Sequence, residues 1–382
     1  MKLSLCKLNE MVSDNISDIL KYFEIDEKTG FLLPNPLTKL PEEFEPWHQI
    51  ADEIQELIEK NLLEDRLQQL PLITTAMLNT NNELRLAHLL LVTLAAGYVW
   101  QDGPDKVARL SIPANISLPL FDVCNRLGLK PIVCHASVCL ANWKPIQKMA
   151  IFNAAMVDII TFRFVQHPGN RWFFTLTAQI ETELAEAIYA IASACLHGKV
   201  EESTMQHIYN AVTKATSTIQ RMEEHVPPDV FYNGFRHFLS GYTQNALAEQ
   251  GGIVFEGKEN LGPQPLSGGS AAQSSTFHVI DEFLGIKHAP DIEAFLSHQR
   301  EYMPPKHRDF IFWVRENVAK IPNPRNVAGY REALLAVKKF REIHISVVTK
   351  FIVLPSKGNS KMGTGGSSFM HLLINIANDC IL

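Results

Sequence analysis

Apolar residues recur along this chain at helical spacing far more often than in the alternation of strands. Trp47, Ile50, Ile54, Leu57 and Ile58 keep an i, i+3, i+4 rhythm, the stripe of a helix packed on one face. Leu84 to Trp100 is apolar nearly all round, which predicts a helix enclosed on every side. Phe173, Leu176, Thr177, Ile180, Leu184, Ile188, Ile191 and Cys195 trace one stripe that Gly198 can cap. Met205, Ile208, Val212, Ala215, Ile219 and Met222 trace another, halted by Pro227 and Pro228. Further helices are predicted over about 231–239, over 270–284 with Gly285 as its cap, and over 327–355. "IITFRFVQHPGN" (159–170) reads as a short extended piece closing in a turn at His167-Pro168-Gly169-Asn170. The stretch 251–269 reads as a Gly- and Pro-rich loop, and "SKGNSKMGTGGSSF" (356–369) is too rich in Gly and Ser for regular structure.

The expected fold is therefore mainly α. At 382 residues the chain exceeds what one hydrophobic core usually serves. A smaller, mostly helical N-terminal domain with little β structure is expected over 1–160, and a large all-helical domain over 161–382. Hydrophobic content of 46% and charged content of 20% are those of an ordinary globular protein.

A net charge of −6 without any Lys/Arg run argues against a nucleic-acid or anionic-membrane partner. The opening "MKLSLCKLNEMVSDN" has no apolar segment of the kind a secretory leader carries, and "LLLVTLAAGYVW" (89–100) is too short to span a bilayer. The cysteines Cys6, Cys124, Cys134, Cys139, Cys195 and Cys380 form no CxxC pair. Reduced thiols and a cytoplasmic location are expected.

Common catalytic signatures are missing. There is no HExxH and no paired CxxC zinc pattern, and "SGGSA" lacks the last glycine of a nucleophile elbow. "GNSKMGTGG" lacks the Gly-Lys-Ser/Thr ending of a phosphate-binding loop. The carboxylates read as solvated helix faces rather than as a catalytic pair. Chemistry supplied by a cofactor is the better expectation for an enzyme of this composition.

One residue stands out against its helix. In "FREIHISVVTKF" (340–351) the inward stripe carries Phe340, Val347, Val348 and Phe351, and His344 falls on it. Such a histidine is ordinarily a core residue with both nitrogens hydrogen-bonded. It is also what haem requires: one axial imidazole, an apolar slot between helices and a cation near the rim for the propionates. Arg341, about 60° away round the helix, is placed to be that cation. The helix expected at 170–197 offers Phe173 and Thr177 one turn apart and no histidine on that stripe. One protein ligand and an apolar opposite wall suit a diatomic gas better than electron transfer.

Eight segments, in order, resemble the indoleamine 2,3-dioxygenase family: "GFLLPNPLTKLPE" (30–42), "CLANWK" (139–144), "WFFTLT" (172–177), "HVPPDVFYNGFRHFLSGY" (225–242), "GGSAAQSSTF" (268–277), "YMPPKHRDF" (302–310), "HISVVTKFIVLP" (344–355) and "GTGG" (363–366). The resemblance implies a haem b enzyme, ferrous when active, that opens the indole ring of L-tryptophan or a related indoleamine with O2 to give N-formyl-L-kynurenine. It also implies an electron donor to keep the iron ferrous, and a monomer is expected. The N-terminal domain would cover the distal side of the haem.

On individual positions, the resemblance makes His344 the proximal ligand. Phe173 and Thr177 become the distal residues, Phe231 and Tyr232 the aromatic wall against the indole, and Arg236 the holder of the substrate carboxylate. Gly269, Ser270 and Ala271 would lie along the haem edge and the substrate pocket, and Thr364, in a mobile glycine-rich loop, would close on the amino acid end. Asp281 and Arg341 match a charged pair beside the proximal side. Helix geometry supports Tyr232 with Arg236, four apart on one face. It does not by itself establish Phe231, five residues and about 140° from Arg236 on an ideal α-helix.

Two departures bear on the pocket. His135 stands where mammalian members carry a tyrosine, with Val138 and Cys139 also different from their counterparts, so substrate fit is expected to differ. Thr177 replaces a serine found in some members, keeping a hydroxyl and adding a methyl group. The family also contains oxygen-carrying myoglobins that have lost dioxygenase activity. Retention of Phe231, Arg236, "GGSA" and "GTGG" together favours the enzyme, since oxygen storage gives no use for a carboxylate clamp.

Overall fold

The computed structural model describes residues 15–103, 107–357, 363–366 and 368–381. Cys6, the opening segment up to residue 14 and part of the 356–369 tail, including residues 358–362, lie outside the described residues. Helices dominate, as the periodicity requires. The strands among the described residues are two-residue pairs: Ser111–Ile112 parallel to Val254–Phe255, and Lys144–Pro145 antiparallel to Val157–Asp158.

Local signals set the helix ends. Asn81–Trp100 starts on a capping box in which Thr80 and Glu83 satisfy each other's backbone N–H groups. It is the one described helix long and apolar enough to cross a membrane, and its residues are almost all packed inside the fold. Ala185–His197 and Ser275–Leu284 both end on left-handed glycines, Gly198 and Gly285.

Two apolar clusters share the interior. One gathers around Asn81–Trp100 with Trp47, Ile50 and Ile54 of helix Glu45–Glu59 and Ile116, Leu120 and Val123 of helix Ala114–Leu127. The other gathers helices Ala185–His197, Glu202–Gln220, Ser275–Leu284, Pro305–Val318 and Tyr330–Val348, together with Ile19, Leu20 and Phe23 from near the chain's start. Helix Pro168–Glu183 serves both, giving Phe174 and Leu176 to the first and Ala178 and Ile180 to the second. Val347 packs against both as well. The seam between the clusters is where the cavity described below opens.

Several sequence expectations need correction. No turn forms at 167–170; a helix begins there. Pro168 occupies the first helical turn, where its missing N–H leaves nothing unsatisfied, and His167 Nδ1 accepts the Gly169 N–H at 3.0 Å. The stretch before it is irregular rather than a strand. Asn142 Oδ1 accepts the N–H groups of Ile160 and Thr161, and Asn170 Oδ1 that of Phe164, so side chains take the place of a strand partner. The single stripe from Phe173 to Cys195 belongs to two helices that break at Leu184, just after Thr182 turns its hydroxyl onto the Gln179 carbonyl. The helix expected over 231–239 is a π-helix, Val230–Phe235, followed by a 3₁₀ turn, Arg236–Leu239. The helix expected from 327 is α-helical only over Tyr330–Val348 and continues as a π-turn, Thr349–Val353.

Candidate functional site

A cavity of about 330 Å³ lies at the seam, within the size range of small-molecule and cofactor sites. On one side stand Phe340, His344, Val347 and Val348 of helix Tyr330–Val348 and Phe351 of the π-turn after it. Helix Phe369–Asn378 closes that side with Phe369, Leu372, Leu373 and Ile376. On the other side stand Phe173, Thr177, Ile180 and Glu181 of helix Pro168–Glu183, with His135, Val138 and Cys139. Phe231, Arg236, the segment Gly269–Ala272 and the loop Gly363–Gly365 complete the wall.

His344 is the polar exception on its helix face. Neither imidazole nitrogen has a hydrogen-bond partner among the described residues, and its partial exposure is toward the cavity. Burial lowers its pKa to about 4, so at neutral pH it is the uncharged imidazole that ligates metals. A single donor cannot hold an iron ion alone; it needs a macrocycle to supply the other ligands. An orphaned neutral imidazole aimed into a largely apolar slot between helices fits that prosthetic group.

Arg341 lines the cavity together with Asp281, but its charge is already paired. It is buried, with Nη2 donating to both Asp281 oxygens at 2.6 and 2.7 Å and Nη1 to Ile376 O and Cys380 Sγ, each at 3.0 Å. Its charge is neutralised by Asp281, which corrects the expectation of a free propionate cation while keeping the expected pair. His288 extends the cluster, contacting Asp281 at 3.2 Å and Asp379 at 2.8 Å. The cluster fastens helix Phe369–Asn378, and so one cavity wall, to the helix that carries His344.

Four aromatic rings from both sides of the cavity meet. Phe231 is 5.0 Å from Phe173, 5.3 Å from Phe235 and 6.0 Å from Phe351, centroid to centroid. The π-helix explains how Phe231 and Arg236 both reach the cavity. In its i→i+5 bonding the Arg236 N–H is bonded to the Phe231 carbonyl, so residues five apart share a side. Tyr232 is thereby turned off the wall. It is not among the lining residues, and its ring lies 5.6 Å from the Arg236 guanidinium carbon, which it flanks. The expected pairing of Tyr232 with Arg236 as two arms of a substrate clamp is corrected: Phe231 faces the cavity, and Tyr232 sits behind the arginine. Burial lowers the Arg236 pKa, with Tyr232 opposing; the group remains a cation at neutral pH.

Thr177 lines the cavity, but its hydroxyl donates to Phe173 O at 2.8 Å, so it offers the cavity an acceptor rather than a proton. Thr364 is held down. Its hydroxyl donates to Gly269 O at 2.6 Å, and its carbonyl accepts the N–H groups of Gly241 and Gly268 at 3.2 and 3.1 Å. That three-way approach requires glycine: a Cβ on Gly268 would fall 2.1 Å from Leu239 O, and one on Gly241 2.5 Å from Gly268 N. Ser270 Oγ accepts the Ala272 N–H at 3.2 Å, fixing the turn that brings Gly269, Ser270 and Ala271 to the wall.

Glu181 is a lining residue that sequence reasoning missed. It is four residues beyond Thr177 on the same stripe, so it could have been found by extending that stripe rather than treating carboxylates as solvated. It is buried and accepts from His135 Nε2 at 2.9 Å, Ser274 Oγ at 2.6 Å and Thr276 Oγ1 at 2.6 Å. Burial opposes charge on both partners. For His135 the neighbouring Cys139 and Glu181 outweigh it and raise the pKa; for Glu181 the donors, His135 foremost, lower it.

The family model for indoleamine 2,3-dioxygenase matches residues 19–378. The chain is 33% identical over 390 residues to indoleamine 2,3-dioxygenase 2 of Homo sapiens, covering 94% of this chain and 93% of that one. It is 34% identical over 385 residues to indoleamine 2,3-dioxygenase 1 of Rattus norvegicus, with 94% of each covered. A protein named myoglobin from Haliotis madaka is 33% identical over 378 residues, covering 94% of this chain and 97% of that one.

Proposed function

The chain belongs to the indoleamine 2,3-dioxygenase family, and we propose that it is a haem dioxygenase cleaving the C2–C3 bond of L-tryptophan with O2 to give N-formyl-L-kynurenine. The observation that carries this reading is the convergence of Arg236 and Phe231, through the π-helix, on the cavity that His344 faces. A gas carrier needs the imidazole but has no use for a half-buried cation beside an aromatic wall.

His344 would hold the iron, with Ser270 and Ala271 along the haem edge. When bound and ferrous, haem b supplies the redox chemistry that lets O2 react with the indole. The protein's own residues do the rest. Arg236 takes the substrate carboxylate, where a planar fork gives two charge-assisted bonds. Phe231 and Phe173 fix the ring between them, which converts binding energy into orientation. Thr364, docked on Gly269, covers the amino acid end and keeps water out. The Thr177 hydroxyl, its proton engaged by Phe173 O, meets the ring as an acceptor, and the His135 imidazole is engaged by Glu181.

The second reading, an oxygen-binding haem protein with weak or no dioxygenase activity, is favoured by the likeness to the Haliotis madaka myoglobin. One experiment separates them: reduced holoprotein, air and L-tryptophan, with N-formylkynurenine followed by its ultraviolet absorbance. Turnover that falls roughly 10- to 100-fold in Arg236→Ala, the worth of a charged hydrogen bond, with haem content unchanged, is the expected result. A stable oxygenated spectrum without product selects the carrier. The proposal further includes an external electron donor, a monomer in the cytoplasm, and neither nucleic acid nor membrane as partner.

A further inference from the structure

Two glutamines stand in the interior beside the cavity: Gln299 is fully buried and Gln273 is 2% exposed. A buried amide costs stability unless its donors and acceptor are paired, and these two are paired in a line. Gln273 Oε1 accepts the His135 N–H at 3.0 Å, and Gln273 Nε2 donates to Gly268 O at 2.9 Å and to Gln299 Oε1 at 3.0 Å. Gln299 Nε2 then faces Ser267 Oγ at 3.4 Å and Gly365 O at 3.5 Å. The backbone fixes the direction of the line. A peptide N–H can only donate and a carbonyl can only accept, so Gln273 turns its oxygen to His135 and its nitrogen to Gly268 and Gln299. Gln299 is left with its oxygen toward Gln273 and its N–H groups toward Ser267 and Gly365.

Helix Pro290–Arg300, which carries Gln299, is thereby joined to the loop Gly363–Gly365 in the cavity wall. The loop's other two carbonyls are tied elsewhere. Gly363 O accepts from Gln244 Nε2 at 3.1 Å, and Thr364 O accepts from the backbone of Gly241 and Gly268. The Gln299 contacts are the longest in the line, so the loop end is its slack end. Gly365 also lies close against Ser270, where a Cβ on the glycine would fall 2.9 Å from the serine Cβ. Resting on the proposed indole substrate, whose amino acid end Thr364 covers, we infer that Gln299 is a positioning residue: its amide holds the Gly365 carbonyl and so sets where Thr364 stands over that end. Methionine at 299 fills nearly the same space and donates nothing, so the loop loses a tie while the apolar wall keeps its shape.

The test titrates ferric holoprotein calorimetrically with L-tryptophan and with 3-methylindole, which has the ring without the amino acid end. Gln299→Met is expected to weaken L-tryptophan by about three- to tenfold, the worth of one hydrogen bond, and to leave 3-methylindole binding as in the wild type. In turnover it should raise KM with little change in kcat, the mark of a lost binding contact. Gly365→Ala pushes the loop off Ser270 without altering either buried glutamine; it should weaken L-tryptophan selectively as well, and it decides the matter should Gln299→Met fail to fold. Equal losses for the two ligands mark general packing and overturn the inference, as does undiminished L-tryptophan binding in both variants. Failure of the proposed activity shows separately, as wild-type protein that binds L-tryptophan without turning it over, and the ratio of the two affinities would still decide the role of Gln299.

Discussion

Replacing Asp281 with asparagine keeps the shape of the side chain and deletes its charge. Arg341 would then be a buried cation whose neutralising partner is gone, and His288 would lose one of the two carboxylates it bridges. Removing one member of a buried, hydrogen-bonded pair costs about 3–5 kcal/mol. In a chain of this length that lowers the melting temperature by roughly 4–6 °C. The loss has a functional side, because Arg341 also holds Ile376 O and Cys380, and through them the helix that closes the cavity beside His344. Asp281→Asn should therefore release haem to an apo-globin acceptor faster than wild type, measured by the shift of the visible absorption band. Calorimetry of the same protein gives the stability term. Removing both charges, Asp281→Leu with Arg341→Met, should recover much of the melting temperature, since apolar replacement of a buried pair is often neutral. An Asp281→Asn protein that melts within about 1 °C of wild type, or a double variant less stable than the single one, would refute the assignment of this pair as the fastening of the proximal wall.

Two further outcomes are expected. Deleting Asn233, an exposed residue inside the π-helix, would return the turn to α spacing with Phe231 and Arg236 four apart and about 40° from each other, still on one face; kcat/KM should stay within about tenfold of the wild type, and a loss well beyond that would contradict the role given to the π-turn as the device that brings these two residues to one side. For pH, the His288 pKa is raised above 6.5 by Asp281 and Asp379 against the opposing effect of burial. A raised histidine contributes its full stability below 6.5 and loses it as pH climbs through the folded value. The melting-temperature gap between wild type and His288→Asn should therefore be widest near about pH 6 and narrow toward about pH 9, and a gap that widens would contradict the bridge.

The helical architecture was legible because burial writes itself into spacing. Trp47 to Ile58, Leu84 to Trp100 and Met205 to Met222 all fall in helices where the periodicity puts them. His344 was visible for the same reason, as an imidazole on a stripe that has no business being polar. What failed to show was whatever depends on a departure from 3.6 residues per turn or on a distant partner. Phe231 reaches the cavity only through a π-turn, which leaves no mark in the apolar rhythm, and the same turn removes Tyr232 from the wall it was expected to form. Leu184 interrupts a stripe that continues on both sides of it. Glu181 lay on a stripe already recognised, yet its burial depends on Ser274, Thr276 and His135, all remote in sequence. Arg341 was correctly placed beside the slot, but whether its charge was free could be known only once Asp281 had been brought against it.

The cavity wall draws on residues from His135 to Ile376, and this spread matters for how the pocket comes into being. The walls come from segments far apart along the chain, so the pocket has no local precursor: it exists only once helices distant in sequence have packed against one another, and any change that loosens that packing reaches the cavity without touching a residue that lines it.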